Sequence, residues 1–299
     1  MNLISLRSRG KAVVWISASV VLFAVFDAVV KYLAAFYPVT SLIWSRYAMH
    51  VVVMGLFFAR AMGLTLVSTD RKWLQVLRGL LMLGVSLCMM NAAHYLPLAE
   101  LTAIYFTYPL VVTLLAPLLL KERIDRYSSC AVILGFIGLV VVVRPNAEMT
   151  SMYSLMPLLA AVLFALFQIL TRFLSETENP ISTNFMTGLT GVFIMSLLIP
   201  TEITGSWILP EFSHVPLFLV LGFTGFAAQQ CMINAFNLES PNILAPLSFL
   251  QIGWAVIIGL IVFGDVPSTS ALVGIGLIAI GGLAVAFKKR SACDGLTSR

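Results

Sequence analysis

Charged side chains are scarce in this sequence. Only 10% of its 299 residues are charged, whereas 60% are apolar and the mean hydropathy is +1.00. A soluble chain of this length would carry many more polar residues and would alternate apolar and charged faces along its helices. The shortage of charge therefore excludes a water-soluble fold and predicts a chain whose solvent is lipid.

Several chemical signatures are also missing. The sequence has no Gly-x-x-x-x-Gly-Lys-Ser/Thr phosphate loop, so we expect no ATP hydrolysis on this chain. Its histidines, His50, His94 and His214, form no His-Glu-x-x-His pattern, and its four cysteines lack the spacing of disulfides or zinc sites. We therefore expect no enzyme, no metal and no other cofactor. Without a basic, water-exposed domain we also expect no nucleic-acid partner.

Long apolar runs follow one another almost end to end. A helix that crosses a bilayer needs about 20 mostly apolar residues. We predict ten spans, numbered in chain order, at residues 12–33, 40–59, 75–96, 99–120, 127–143, 153–173, 181–200, 216–237, 242–263 and 268–287. The segments between them are short, so residues 1–299 are predicted to form one membrane domain. The first span lacks the features of a cleaved signal peptide, so we expect it to be retained.

The few basic residues are distributed unevenly between the loops. If the chain starts inside the cell, one side of the membrane collects nearly all of them, and the outer loops hold only Arg144. Cytoplasmic loops are enriched in Lys and Arg. We therefore expect both termini in the cytoplasm, and the formal charge of +5 indicates orientation.

The sequence repeats itself. Residues 88–92, Cys-Met-Met-Asn-Ala, resemble residues 231–235, Cys-Met-Ile-Asn-Ala, and the register holds without a gap until Gly138 meets Gly281. Residues 21–26 likewise resemble 162–167. The predicted repeats cover about 12–146 and 153–288. Chance recurrence of common apolar residues is the alternative, and near-constant offsets at both ends of the half argue against it.

Each repeat contains five spans, and this odd number inverts the second repeat relative to the first. The loop after span 4, residues 121–126, holds three basic residues. Its counterpart, residues 264–269, keeps an acid at Asp265 opposite Glu122 but holds no basic residue, as an external loop would. Inverted repeats are typical of carriers that alternate between inward-open and outward-open shapes. The pattern predicts a secondary transporter, and a channel-like facilitator is an alternative.

Five short motifs support a narrower interpretation. They are Arg78-Gly79-Leu80-Leu81, Asn91-Ala92-Ala93-His94-Tyr95-Leu96-Pro97-Leu98-Ala99, Tyr108-Pro109-Leu110, Lys121-Glu122-Arg123 and the glycines Gly135 and Gly138. Together they resemble the EamA-type drug/metabolite transporter superfamily. The second half matches more loosely, since Leu238-Glu239-Ser240-Pro241 replaces the Tyr-Leu-Pro stretch and Ile252 replaces Pro109.

This resemblance implies an all-α integral membrane protein, with ten transmembrane helices arranged as two inverted five-helix repeats around a central cavity. It implies a bacterial inner membrane and export of amino acids or other small metabolites. Within the superfamily, the chain is similar to exporters of aromatic amino acids. The expected partners are a small-molecule substrate and the lipid bilayer, and the chain is expected to be a monomer or a homodimer.

Charges within spans are costly unless they are paired or face water, so each is a candidate for function. Asp27 and Arg46 lie at similar depths, about 22 and 21 Å from the inner face at the rise of an α-helix. We expect them either to form an ion pair or to bind a proton or a substrate amine at Asp27. Lys31 is a further pairing candidate, with extension to the outer interface as the alternative. His50 is a coupling candidate, with a neutral, hydrogen-bonded imidazole as the alternative.

The other candidates for substrate contact are polar or aromatic side chains. They are Asn91, His94, Tyr95, Tyr105, Tyr108, Gln168, Gln230, Asn234, Ser248, Gln251 and Trp254. Many coincide across the repeat: Tyr105 and Tyr108 share a helical face, as do their counterparts on span 9. Interhelical hydrogen bonding is the alternative role for any one of them. Pro109 and Pro246 are expected to break the helices of spans 4 and 9.

The expected substrate follows from charge. Spans 9 and 10 contain no Lys or Arg before Lys288, which disfavours phosphorylated solutes, because phosphate is usually bound by cationic side chains. Neutral or zwitterionic solutes are predicted, with a preference for aromatic or hydrophobic ones from the rings of Tyr105, Tyr108 and Trp254. Export of lipophilic cationic drugs is the alternative.

Overall fold

Helices make up nearly all of the described chain. The computed structural model describes residues 3–119, 126–143, 150–175, 177–198, 210–238 and 247–280, and none of these residues is in a β-strand. The predicted helix break at Pro246 lies outside this part of the chain. Few charges interrupt the apolar runs, and in lipid an α-helix satisfies every backbone polar group within its own segment.

The helices occupy the places of the ten predicted spans. Their bounds, in order, are Leu3–Ala34, Val39–Met62, Lys72–Ala92, Leu98–Tyr105 with Tyr108–Leu119, Arg126–Val143, Thr150–Ser175, Pro180–Leu198, Val215–Leu238, Leu250–Ile258 with a π-turn at Gly259–Phe263, and Thr269–Ile280. Spans 1, 2, 3, 6, 7 and 8 are long and apolar enough to cross a membrane, and shorter apolar helices represent spans 4, 5, 9 and 10.

Two of these helices differ from the predicted spans. Span 4 is not one helix: it stops at Tyr105 and starts again at Tyr108, with Pro109 in the first turn of the second piece, where a missing N–H is tolerated. The Thr107 hydroxyl donates to the Ile104 carbonyl at 2.7 Å across this break. Span 3 ends at Ala92 rather than at residue 96, because the chain turns there ahead of Pro97.

The packing of the helices repeats the symmetry of the sequence. Span 1 packs along span 8, and span 3 packs along span 6. In the repeat, span 1 corresponds to span 6 and span 3 corresponds to span 8. Each of these two contacts therefore joins the first span of one repeat to the third span of the other. Spans 2 and 7 pack against each other, and each also contacts the third span of the other repeat. The two five-helix repeats are therefore interleaved rather than placed side by side.

Spans 5 and 10 approach each other closely through glycine. A Cβ atom built on Gly138 would lie 2.8 Å from both the Gly274 carbonyl oxygen and the Ile278 amide nitrogen. A Cβ on Gly274 would lie 2.7 Å from the Gly138 carbonyl oxygen. Small residues allow this backbone contact between membrane helices.

Gly138→Ala is expected to destabilise the protein by about 1–3 kcal/mol, because the added methyl meets backbone atoms that cannot rotate away. Gly276→Ala on span 10 is the matched control, since nothing lies within 4 Å of a Cβ at that position. Thermal unfolding of both variants in detergent measures the difference. Equal unfolding temperatures would contradict the close approach of spans 5 and 10.

Candidate functional site

Asp27 lies within span 1 and is partly exposed. Its Oδ2 accepts a hydrogen bond of 2.9 Å from Nε2 of Gln251 on span 9. Spans 1 and 9 belong to opposite repeats, so this bond joins the two halves of the molecule. A carboxylate at this depth in a membrane protein is expected to serve a substrate or ion pathway.

Arg46 lies on span 2 and is only 7% exposed. Its Nη1 donates to the Ser86 hydroxyl at 2.6 Å, and its guanidinium carbon lies 4.8 Å from the ring centroid of Phe26 and 5.2 Å from that of Tyr47. The expected ion pair with Asp27 is not formed, because each side chain has its own partners. Phe26 directly precedes Asp27 in span 1, so the Arg46 guanidinium nevertheless lies beside the helix that carries the carboxylate.

Aromatic rings lie beside these charges. The ring centroids of Tyr105 and Tyr108 are 5.6 Å apart, and Phe164 of span 6 lies 5.3 Å from the first and 4.8 Å from the second. Gln168, one turn further along span 6, faces the Tyr108 hydroxyl. We call Asp27, Arg46, Gln251, these three rings and Gln168 the central cluster. It lies at the seam between the repeats, and Asp27, both tyrosines and Gln168 are partly exposed there.

Some predicted substrate residues lie away from the central cluster. Tyr95 is 57% exposed beyond the end of span 3 and stacks on Tyr153, with ring centroids 3.7 Å apart. His94 lies in the same exposed turn, where partial burial lowers its pKa. Trp254 is 40% exposed and has no described ring contact with the cluster. His94 and Tyr95 lie beyond the end of span 3 at Ala92. The role of these three side chains in substrate contact stays a prediction.

The remaining amides bond locally. Asn91 donates from its side chain to the Leu87 carbonyl of its own helix at 2.7 Å. Gln230 donates to Asn234 at 3.3 Å, while the Gln230 carbonyl oxygen is buried and has no partner. Ser248 is partly buried on span 9. The bonds of Asn91 and Gln230 stay within their own helices, which agrees with a packing role. The buried carbonyl oxygen of Gln230 remains an unused acceptor.

Lys31 forms an ion pair with Asp265, which follows span 9 in the opposite repeat. Its ammonium nitrogen also lies 4.8 Å from the ring centroid of Phe263. Gly264 allows Asp265 to reach Lys31. Its φ of +66° is a left-handed conformation that ends the helix and turns the chain toward Lys31. The sequence carried a signal for this pair, since the repeat retains an acid at Asp265.

His50 packs into the interface of spans 2 and 7. It is 7% exposed, and its ring centroid lies 6.0 Å from that of Phe226. Its Nε2 has no partner, and neither does the fully buried side-chain amide of Asn184. The site therefore holds unsatisfied polar atoms close to the central cluster, which buried water usually satisfies in proteins.

A second buried cation, Arg78, was not predicted as a site residue. It lies one and a half turns into span 3 and is 2% exposed. In the sequence, Arg78 was noted only as part of the motif Arg78-Gly79-Leu80-Leu81. Its depth beneath spans 6 and 7 depends on how those helices cross it.

The sequence contains two matches to one known family. The sequence matches the EamA-like transporter family twice, over residues 10–144 and again over residues 151–287. The chain belongs to this family. This EamA-like transporter has the two-repeat fold of that family, and the helices of its described residues are consistent with the ten predicted. It is a multi-pass membrane transporter and not an enzyme.

Curated relatives align along nearly the whole length of this transporter. A protein named S-adenosylmethionine uptake transporter from Rickettsia conorii is 27% identical over 280 residues, covering 94% of each chain. Its namesake from Rickettsia bellii is 25% identical and covers 96% of this chain and 97% of that one. A protein named riboflavin transporter from Vibrio cholerae is 26% identical over 281 residues, covering 91% of each chain.

These relatives correct the narrower resemblance. They are named for S-adenosylmethionine or riboflavin, and they give no support to export of aromatic amino acids. A solved structure with a TM-score of 0.65 covers 92% of this chain and 95% of its own. At 19% identity it shows that the two share a fold and nothing further.

Proposed function

We propose that this transporter moves a zwitterionic solute bearing an aromatic ring by alternating access, and that S-adenosylmethionine is the first solute to test. The observation that carries the proposal is the separation of Asp27 from Arg46. Asp27 bonds to Gln251 and Arg46 bonds to Ser86, so each charge has a neutral partner. The carboxylate and the guanidinium are therefore available to a solute that carries both a positive and a negative group.

The groups of the central cluster fit such a solute. The Asp27 carboxylate suits an ammonium or sulfonium group, and the Arg46 guanidinium suits a carboxylate. Tyr105, Tyr108 and Phe164 offer ring faces and edges for an adenine or another aromatic system. Several of these side chains are partly exposed, which agrees with a lining rather than a sealed core. The zwitterionic class predicted from the sequence corresponds to the amino-acid part of S-adenosylmethionine, whose sulfonium adds a further positive charge. The aromatic part of the proposed solute is its nucleoside.

The direction of transport is proposed from the relatives. The two Rickettsia relatives, which cover 94% and 96% of this chain, are named for uptake, so we assign inward transport in place of the predicted export. The end of the bundle with Arg60, Arg71 and Lys72, which we call the basic end, is then cytoplasmic. The end with Lys31 and Asp265 is external.

Riboflavin is the second candidate. A relative bearing that name covers 91% of this chain, and an isoalloxazine ring would also find aromatic and amide partners in the central cluster. Riboflavin carries no charge that requires Asp27 or Arg46. Dependence of transport on these two charges therefore distinguishes the two candidates.

The test is a solute screen with purified protein in liposomes. Labelled S-adenosylmethionine, methionine, riboflavin and a lipophilic cationic dye are compared, with and without a proton gradient. We expect saturable uptake and counterflow of S-adenosylmethionine, and little competition by the dye. Flux that never saturates would contradict a carrier, and saturable transport of riboflavin alone would contradict the zwitterionic substrate.

A further inference from the structure

Arg78 is a buried cation held entirely by neutral groups. Its Nε donates to the Thr171 hydroxyl at 2.7 Å, and its Nη1 donates to the Thr183 carbonyl at 3.0 Å and also to the Thr187 hydroxyl. The guanidinium carbon lies 4.3 Å from the centroid of the Phe167 ring. We call Arg78 and these four partners the Arg78 cluster.

No carboxylate of the described residues compensates this charge. The acid Glu178 lies at the same end of the bundle, but its Oε1 accepts from the backbone amides of Asp70 and Arg71 at 3.1 and 3.2 Å. The ion pair of Lys31 with Asp265 lies at the opposite end of the bundle. A buried cation without an opposite charge is destabilising, and neutral hydrogen bonds offset only part of that cost.

The Arg78 cluster also closes the basic end between the repeats. Arg78 belongs to span 3 of the first repeat, and all four of its partners belong to spans 6 and 7 of the second. Gln75, fully buried one turn earlier, donates to the Thr183 hydroxyl at 2.9 Å. Opening this end requires span 3 to separate from span 7, which would remove these partners from the guanidinium.

We propose that Arg78 is a second binding site for the substrate carboxylate, and that the carboxylate opens the basic end by replacing the threonine oxygens. This inference rests on the proposed function. A carboxylate can accept two parallel hydrogen bonds from arginine, and its negative charge also compensates the buried cation, which the neutral threonine oxygens cannot do. The solute thus stabilises the open state that its own release requires.

The two arginines lie on different helices, Arg46 on span 2 and Arg78 on span 3, but span 3 contacts both positions. Ser86, which binds Arg46, lies eight residues after Arg78 on span 3, so the two positions are about 12 Å apart along the helix axis. A carboxylate leaving Arg46 for the basic end therefore reaches Arg78 next. The repeat equivalent of Arg78 is Leu221, so the opposite end has no matching site.

The first test compares two solutes that differ by one group. Arg78→Gln is expected to lower transport of S-adenosylmethionine at least about tenfold while changing transport of its decarboxylated analogue less than about threefold. Arg71→Gln, which removes a neighbouring cation from the same end, is the matched control and should leave the ratio of the two rates unchanged. Equal loss of both solutes in Arg78→Gln would show that the residue only holds the helices together.

A second measurement keeps Arg78 in place in case its variants do not fold. In a background without native cysteines, Gln75→Cys is labelled with a maleimide applied to the basic end. We expect S-adenosylmethionine to raise the labelling rate several-fold and the decarboxylated analogue to leave it unchanged. Equal effects of the two solutes would overturn the inference. Lack of any saturable S-adenosylmethionine transport by the unaltered protein would instead contradict the proposed function itself.

Discussion

Asp27→Asn is expected to reduce uptake of S-adenosylmethionine by about 10- to 100-fold, the loss typical of a hydrogen bond to a charged group. Asparagine has nearly the same shape as aspartate, and its carbonyl oxygen can still accept the bond from Gln251. The substitution therefore removes the charge with little change to the contact between spans 1 and 9. Initial uptake rates in proteoliposomes measure the effect.

The matched control for this variant is Asp70→Asn. Asp70 is an exposed acid at the basic end, outside the central cluster. We expect its replacement to leave uptake within about twofold of the unaltered protein, because surface substitutions of this kind have small effects. If Asp27→Asn transported as fast as Asp70→Asn, the carboxylate would have no part in substrate binding.

Arg46→Gln is expected to reduce the same uptake by about 10- to 100-fold, with Arg46→Lys retaining part of it. Glutamine can keep a hydrogen bond to Ser86, whereas it cannot form a charge-assisted bond to the substrate carboxylate. Lysine restores the charge but not the planar fork that binds a carboxylate through two nitrogens. Apparent affinities from competition by unlabelled solute separate loss of binding from loss of turnover.

Arg60→Gln provides the control on the same helix, since Arg60 is exposed at the end of span 2. The expected result is unchanged affinity. Arg46→Gln is tested on the decarboxylated analogue as well. If uptake of both solutes fell equally, Arg46 would hold the helices together and would not bind the carboxylate.

The two variants together separate the substrate classes. A zwitterion needs both charges, so both Asp27→Asn and Arg46→Gln should impair its transport. A lipophilic cation needs only the acid. If Asp27→Asn abolished transport of a cationic dye while Arg46→Gln left it intact, the chain would be a drug exporter and the zwitterionic substrate would be wrong.

The partners of the intramembrane charges show where sequence reasoning stops. Residue depth along a span follows from counting, because each helical residue rises by a constant distance. Depth predicts that Asp27 and Arg46 lie within the membrane. It did not give their partners, since these depend on the rotation and crossing of spans 1, 2, 3 and 9. Lys31 illustrates the same limit, because its partner Asp265 is more than two hundred residues away.

The helix ends show a second limit. Hydropathy places spans to within a few residues, yet it treated span 4 as continuous and extended span 3 beyond Ala92. Both differences lie next to prolines, whose missing N–H and steric effect on the preceding residue are local. The consequence for the site is not local, because the turn after Ala92 moves His94 and Tyr95 away from the central cluster.

The sequence by itself determined that this protein lies in lipid, that it has ten spans in two inverted repeats, and that it belongs with transporters. These conclusions follow from the length of the apolar runs, the offset of the repeat and the distribution of basic residues, all of which can be read from the sequence. Only the tertiary structure decided which charges are paired. In the structure Lys31 pairs with Asp265, Asp27 and Arg46 bond to other side chains, and Arg78 is buried among threonines. These contacts depend on how helices from opposite repeats cross, which the sequence does not specify.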